Sequence, residues 1–303
     1  MAVGYKFQTQ WGKNRGILLL LAMYTGAMGG GAYLLSIYTG YILGAVTGYL
    51  ILVIGKPVFH ILFLGRPERF IKAFKRPNSS WISRGIWGLT FYIPIGGIYV
   101  APYLGIMPWL EGTFIWSLAL WLSIPLAIFL ILYDGFLLVA SKGVAIWNNS
   151  LLAILFPVAA LISGLGVLIF YTAYFIRIEQ FLKLFEEHEL TILLIGAFTI
   201  ATYLYTVNYS DTTSRYSVFQ LIRGRYSPIF WFSIATAIAI PILANILNRY
   251  YIHIPIQVIG LVALLELVGD LLLKYAILNV GAYRPLVPLW SKESIYDESY
   301  KVR

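Results

Sequence analysis

The sequence predicts an all-α integral membrane protein of eight transmembrane helices, packed as two four-helix groups. Three observations point there: the composition, the long apolar runs, and the confinement of charge to the segments between them. Of 303 residues, 60% are apolar and 12% charged, whereas a soluble domain is about 45–50% apolar and about 25% charged. The runs reach about twenty residues, enough for a helix to cross the hydrocarbon core. They lack the strict alternation of barrel strands.

The spans fall at about 16–37, 40–64, 85–104, 113–139, 150–174, 189–208, 228–247 and 255–278. The first follows a polar segment with no small-residue cleavage site, so it reads as a retained helix. It contains "GAMGGGA", Gly26 to Ala32, and small residues let helices approach closely in lipid. The very short "SIYTGY" makes spans one and two a hairpin. The second span ends near Lys56 and His60, four residues apart and so on one face. Pro94 with Gly96–Gly97 in the third span and Pro157 in the fifth are the hints of a broken helix at mid-membrane. The fourth ends near Tyr133 and Asp134. Before the sixth, the acidic "RIEQFLKLFEEHEL" is expected to lie on the surface as a short amphipathic helix. The chain is expected to be a single transmembrane domain with a polar tail over 279–303, "RPLVPLW" forming an extended piece.

Eight spans put both ends on one side. That side carries Lys6, Lys13 and Arg15, then Arg66, Arg69, Lys72, Lys75, Arg76 and Arg84, and further cations after the fourth, sixth and eighth spans. The other side has Arg177, Lys183 and Arg249. The positive-inside rule makes the terminal side cytoplasmic. The net charge of +9 is therefore read as an orientation signal rather than a nucleic-acid footprint.

Ionisable groups inside spans are costly and mark function or tight pairing. Asp134 is short, so it must face a polar cavity or a cation. Glu266, Asp270 and Lys274 are spaced i, i+4, i+8 along the last span. They form either an ion-pair ladder that locks helices together, or a proton path lining a polar site. His60, Tyr133, Asp134 and Lys274 all approach the terminal side. A protonatable imidazole, a phenol and a carboxylate at that depth suit a two-carbonyl ring, whose reduction takes two electrons and two protons. The chain has no cysteine, which removes iron–sulfur ligation and c-type haem attachment. His60 lies on one side and His188 and His253 near the other, so a b-type haem lacks its usual facing pair.

"LGRPERF" followed by "RPNSSWISRGIWGL" resembles the signature of the NrfD-like family, the membrane subunits of polysulfide reductase and related molybdopterin enzymes. "LYDGFLLVASKGVAIWNNSLLAILFPVAALISGLG", "LIRGRYSPIFWFSIATAIAIP" and "LELVGDLLLKYAILNVG" resemble its later helices, in order. The resemblance implies a quinone-binding anchor without haem or iron–sulfur cluster of its own. It implies a docked ferredoxin-like iron–sulfur subunit, joined to a molybdenum or tungsten catalytic subunit. By motif, Tyr133 stands at the family's quinone-site tyrosine, with His60 and Arg66 in the motif loop. The polysulfide reductases carry an Asn and a His three apart at the start of the first helix. Here Asn14 is followed by Ile17, which shifts the proton role toward His60 and Asp134. Arg69, Lys72, Lys75 and Arg76 would dock the partner. Relatives often dock exported subunits on the face bearing the termini, in conflict with the charge rule. Two other classes compete. A proton or ion transporter using Glu266, Asp270 and Lys274 predicts broken helices at mid-membrane, and a purely structural anchor needs no polar groups at a common depth.

Overall fold

The computed structural model describes residues 5–285, apart from residue 177 and the side chains of Pro67, Arg69 and Glu179. The expected "RPLVPLW" extension lies mostly outside the described residues. Among the described residues, eight helices are long and apolar enough to cross a membrane. They run Asn14–Thr39 (span 1), Ile42–Phe63 (span 2), Trp81–Leu104 (span 3), Phe114–Val139 (span 4), Leu152–Ile176 (span 5), Gln180–Asn208 (span 6), Ser227–Tyr250 (span 7) and Ile256–Asn279 (span 8). The protein is thus a multi-pass integral membrane protein.

Spans 1–4 pack among themselves, as do spans 5–8, and the groups meet chiefly along spans 1 and 5. That seam needs small residues. A Cβ on Gly31 would lie 1.9 Å from the Ala160 carbonyl oxygen, and one on Gly164 would lie 2.4 Å from the Ala32 nitrogen. Gly31 of "GAMGGGA" and Gly164 of span 5 therefore set the backbone separation between the groups.

One expectation needs correction, and the hints of broken helices that a transporter would need do not hold. The acidic stretch before span 6 is not a separate surface helix. Its helix runs unbroken over Glu179–Asn208, because Leu182, Phe185, Glu189, Leu193, Ile200, Tyr203 and Val207 form one buried stripe at helical spacing. Phe181 and Phe185 pack on Tyr41. Span 3 also stays helical through Pro94 and Gly96–Gly97, where the Tyr49 ring fills the space beside both glycines and its hydroxyl donates to the Ile93 carbonyl at 2.6 Å. Pro157 likewise lies inside a continuous helix. The interruptions a transporter would show are absent from these two spans.

The terminal face is sewn together across the chain. The Gln8 amide donates to the Gly281 carbonyl at 2.8 Å, Tyr283 to Lys6 at 2.9 Å, and Ala145 to Ala282 at 3.1 Å. The buried Gln8 carboxamide donates to the Leu278 carbonyl. Trp147 donates its indole N–H to the Ile277 carbonyl at 3.1 Å.

Candidate functional site

Lys56 sits inside span 2, immediately after a π-helical turn over Ile51–Gly55. The extra residue in that turn shifts the helical register, and Lys56 points inward with 2% exposure. It reaches Asp134, 1% exposed, with Nζ 2.8 and 2.9 Å from the two carboxylate oxygens. Gly26 makes the crossing possible, since a Cβ there would lie 2.6 Å from Lys56 Cδ and 2.9 Å from Nζ. The cation that Asp134 requires is therefore Lys56, delivered between spans 1 and 4.

Tyr133 is buried beside this pair, its ring centroid 5.2 Å from Lys56 Nζ. The ring lies against Gly85, where a Cβ would come 2.3 Å from Cζ. Trp81, one turn earlier on span 3, stacks on Phe136 at 5.1 Å. The hydroxyl of Tyr133 has no hydrogen-bond partner among the described residues. His60 is half-buried one turn beyond Lys56 and bonds the Lys56 carbonyl through Nδ1 at 2.7 Å. A carbonyl only accepts, so Nδ1 carries the proton and Nε2 is the free acceptor.

The cationic loop forms a 3-10 helix over Pro67–Lys75. Residues three apart eclipse on such a helix, so positions 69, 72 and 75 share one face. Lys72, Lys75 and Arg76 are exposed; the side chain of Arg69 lies outside the described residues. The loop is pinned to span 3 by Phe74 against Trp87 at 5.4 Å, by the Trp87 N–H to the Phe74 carbonyl at 3.2 Å, and by Ser83 to the Ala73 carbonyl. Arg84 donates to the Pro77 and Asn78 carbonyls, both at 2.8 Å. Arg66 and Asn14 are both exposed and make no side-chain hydrogen bond or ion pair among the described residues. The structure does not bring them into contact with Tyr133. Arg15 instead takes the carbonyls of Leu62 and Leu64 at the end of span 2.

The line on span 8 is buried throughout, and it divides. Asp270 and Lys274 form an i, i+4 ion pair at 2.5 Å. Lys274 stands 5.7 Å from the Tyr24 ring of span 1, the same helix whose Gly26 the Lys56 side chain crosses. Glu266 takes no part in the ion pair. It faces Glu189 of span 6.

Sequence reasoning missed the partnership of Lys56 with Asp134 and the whole of Glu189. Glu189 was legible: it occupies an inward position of the buried stripe on span 6, as the one ionisable residue among buried apolar residues, Gly196 and Thr199. Starting span 6 at residue 189 hid that periodicity.

An eight-span helical protein with two buried ion pairs gathered toward one face, and a cationic helix above that face, is an integral subunit built around a polar membrane site. The family model for NrfD, polysulphide reductase, matches residues 16–285. The chain belongs to the NrfD family, among the membrane subunits of respiratory oxidoreductase complexes. No curated protein matches the chain.

Proposed function

We propose that this chain exchanges electrons between the quinone pool and a docked ferredoxin-like iron–sulfur subunit, itself joined to a molybdopterin subunit holding molybdenum or tungsten. The observation that carries the quinone half is the unpartnered Tyr133 hydroxyl beside the buried Lys56–Asp134 pair. A quinone carbonyl accepts hydrogen bonds, and its two-electron reduction consumes two protons. Tyr133 supplies the donor. Lys56 places positive charge where the reduced oxygen gains negative charge, and Asp134 holds that ammonium in place. His60 supplies an imidazole that can carry a proton between the cluster and the terminal face. Arg66 and Asn14, exposed on the terminal side, would act at the entrance to the site. Lys72, Lys75 and Arg76, with Arg69 on the same helix, present the docking charge.

The chain itself would bring no haem or iron–sulfur cluster. It has no cysteine, and its three histidines are dispersed over spans 2 and 6 and the connection before span 8.

Tyr133→Phe tests the quinone half. The variant keeps the ring against Gly85 and removes one hydroxyl. A lost buried hydrogen bond is worth about 1–3 kcal/mol, or roughly 5- to 150-fold in rate or affinity. Quinone-coupled turnover should fall by that factor, while the catalytic subunit still reduces or oxidises a soluble dye. Unchanged quinone kinetics would overturn the assignment.

A further inference from the structure

Glu266 lies roughly ten residues into span 8, or about 15 Å from its start on the face opposite the termini. Neither of its oxygens accepts a hydrogen bond from a Lys, Arg, amide or hydroxyl among the described residues. What faces it is a second buried carboxyl, that of Glu189. Two carboxylates cannot hydrogen-bond to each other, and side by side in a dry interior they repel. One proton between them supplies the missing donor and removes the repulsion.

Among the described residues neither Glu189 nor Glu266 forms an ion pair. On span 8 the nearest charges are Asp270 and Lys274, which hold each other. From span 1, Tyr24 spends its hydroxyl on the Leu267 carbonyl at 2.8 Å. From span 5, Gly166 leaves the room the carboxyl fills, a Cβ there lying 3.3 Å from Glu266 Oε1. From span 7, Asn245 donates to Glu189 Oε2 at 3.2 Å and to the Glu186 carbonyl at 2.7 Å.

Glu189, the outer member of the pair, is also reachable. A cavity of about 410 Å³ lies between the start of span 6, the end of span 7 and the start of span 8, lined by Lys183, Glu186, Asn245, Asn248, Arg249 and His253. A smaller hollow continues inward along Glu186, Asn245 and Asn248 to Glu189. Asn248 bonds the Glu186 carboxylate at 3.2 Å. Carboxyl and carboxamide groups are thus among the lining from the opposite face to Glu189.

We propose that the Glu189–Glu266 pair binds one exchangeable proton drawn from the face opposite the termini. A hydronium in the cavity gives its proton to the pair and leaves as water; the pair goes from two negative charges to one, and nothing is oxidised. Beyond it, Asp270 and Lys274 lead to the cluster at Tyr133. The pair would therefore connect the opposite face to the redox site, and this last step rests on the quinone reading.

The test uses the assembled complex in liposomes. Infrared difference spectra on changing pH, in H₂O and D₂O, should show the carbonyl stretch of a protonated carboxylic acid that shifts on deuteration. Glu189→Gln and Glu266→Gln should each abolish it. A hydrophobic carbodiimide, which attacks protonated carboxyls, should label Glu189 or Glu266 of the unaltered protein, read by peptide mass spectrometry. That arm is independent of how the variants fold. A missing band, a band that survives both substitutions, or an unlabelled pair would overturn the proposal. So would protection by sodium at fixed pH, which would make the pair a metal-cation site. Neither readout involves quinone. A complex that lacks quinone turnover yet shows the band and the label would sink the quinone reading and leave the proton site standing. With both intact, quinone turnover should respond to pH on the cavity side and lose that response in Glu266→Gln.

Discussion

Asp134→Asn should be among the most damaging single substitutions in the spans. The change keeps the side chain's size and removes its charge. Lys56, 2% exposed and held at 2.8 and 2.9 Å by the carboxylate, is then an ammonium in a dry interior with only an amide oxygen to face. Removing one partner of a buried pair costs about 3–5 kcal/mol, because the other charge is left uncompensated. At about 1.4 kcal/mol per tenfold, the folded population relative to the unfolded should fall by roughly 100- to 4,000-fold. Lys56→Met combined with Asp134→Leu should recover most of that loss, since two apolar side chains of similar volume carry no desolvation cost. The assay is thermal unfolding of the detergent-solubilised complex followed by tryptophan fluorescence, for the wild type, the single variant and the double variant. The double variant should be stable and unable to turn over quinone. If Asp134→Asn unfolds at the wild-type temperature, or if the double variant is no better than the single, the pair is not a buried, mutually compensated one.

Gly26→Val should act on the same pair from a distance. Its side chain needs the space of Lys56 Cδ and Nζ, and overpacking of this kind costs about 1–3 kcal/mol; a lowered unfolding temperature and weakened quinone turnover together would show it. Neutralising Lys72, Lys75 and Arg76 together should release the iron–sulfur subunit from the purified complex, and more readily at high salt, because exposed charges are screened beyond about 8–10 Å. Retention at every ionic strength, with quinone activity intact, would leave the loop as an orientation signal alone. The isolated chain should carry no haem, and a Soret band that survives its purification would contradict that.

The spans were legible because each is a run of apolar residues whose length is dictated by the bilayer. Their contacts were partly legible. The glycines of span 1 announced a close approach, but only the structure assigns Gly31 to span 5 and Gly26 to the Lys56 side chain. Asp134 declared its need for a cation, and the sequence offered several; the π turn that rotates Lys56 inward leaves no composition signal. The i, i+4, i+8 pattern on span 8 placed three charges on one face. It could not say that Glu266 would turn to another helix, because that depends on where span 6 starts. The exposed positions of Arg66 and Asn14 follow from loop geometry, which a motif match does not encode.

The stitching of the terminal face has a consequence for the order of biogenesis. Gln8 and Leu278 are 270 positions apart, yet they share a hydrogen bond, and the backbone pairings of residues 6–8 and 144–145 with 281–283 close over the same patch. That patch does not exist while span 8 is still on the ribosome. The N-terminal segment must wait, unpaired, until the final helix has entered the bilayer. The face that carries the cationic helix therefore matures last. A partner that recognises the closed patch would bind finished subunits and ignore partly inserted ones, so the fold itself would act as a checkpoint on assembly.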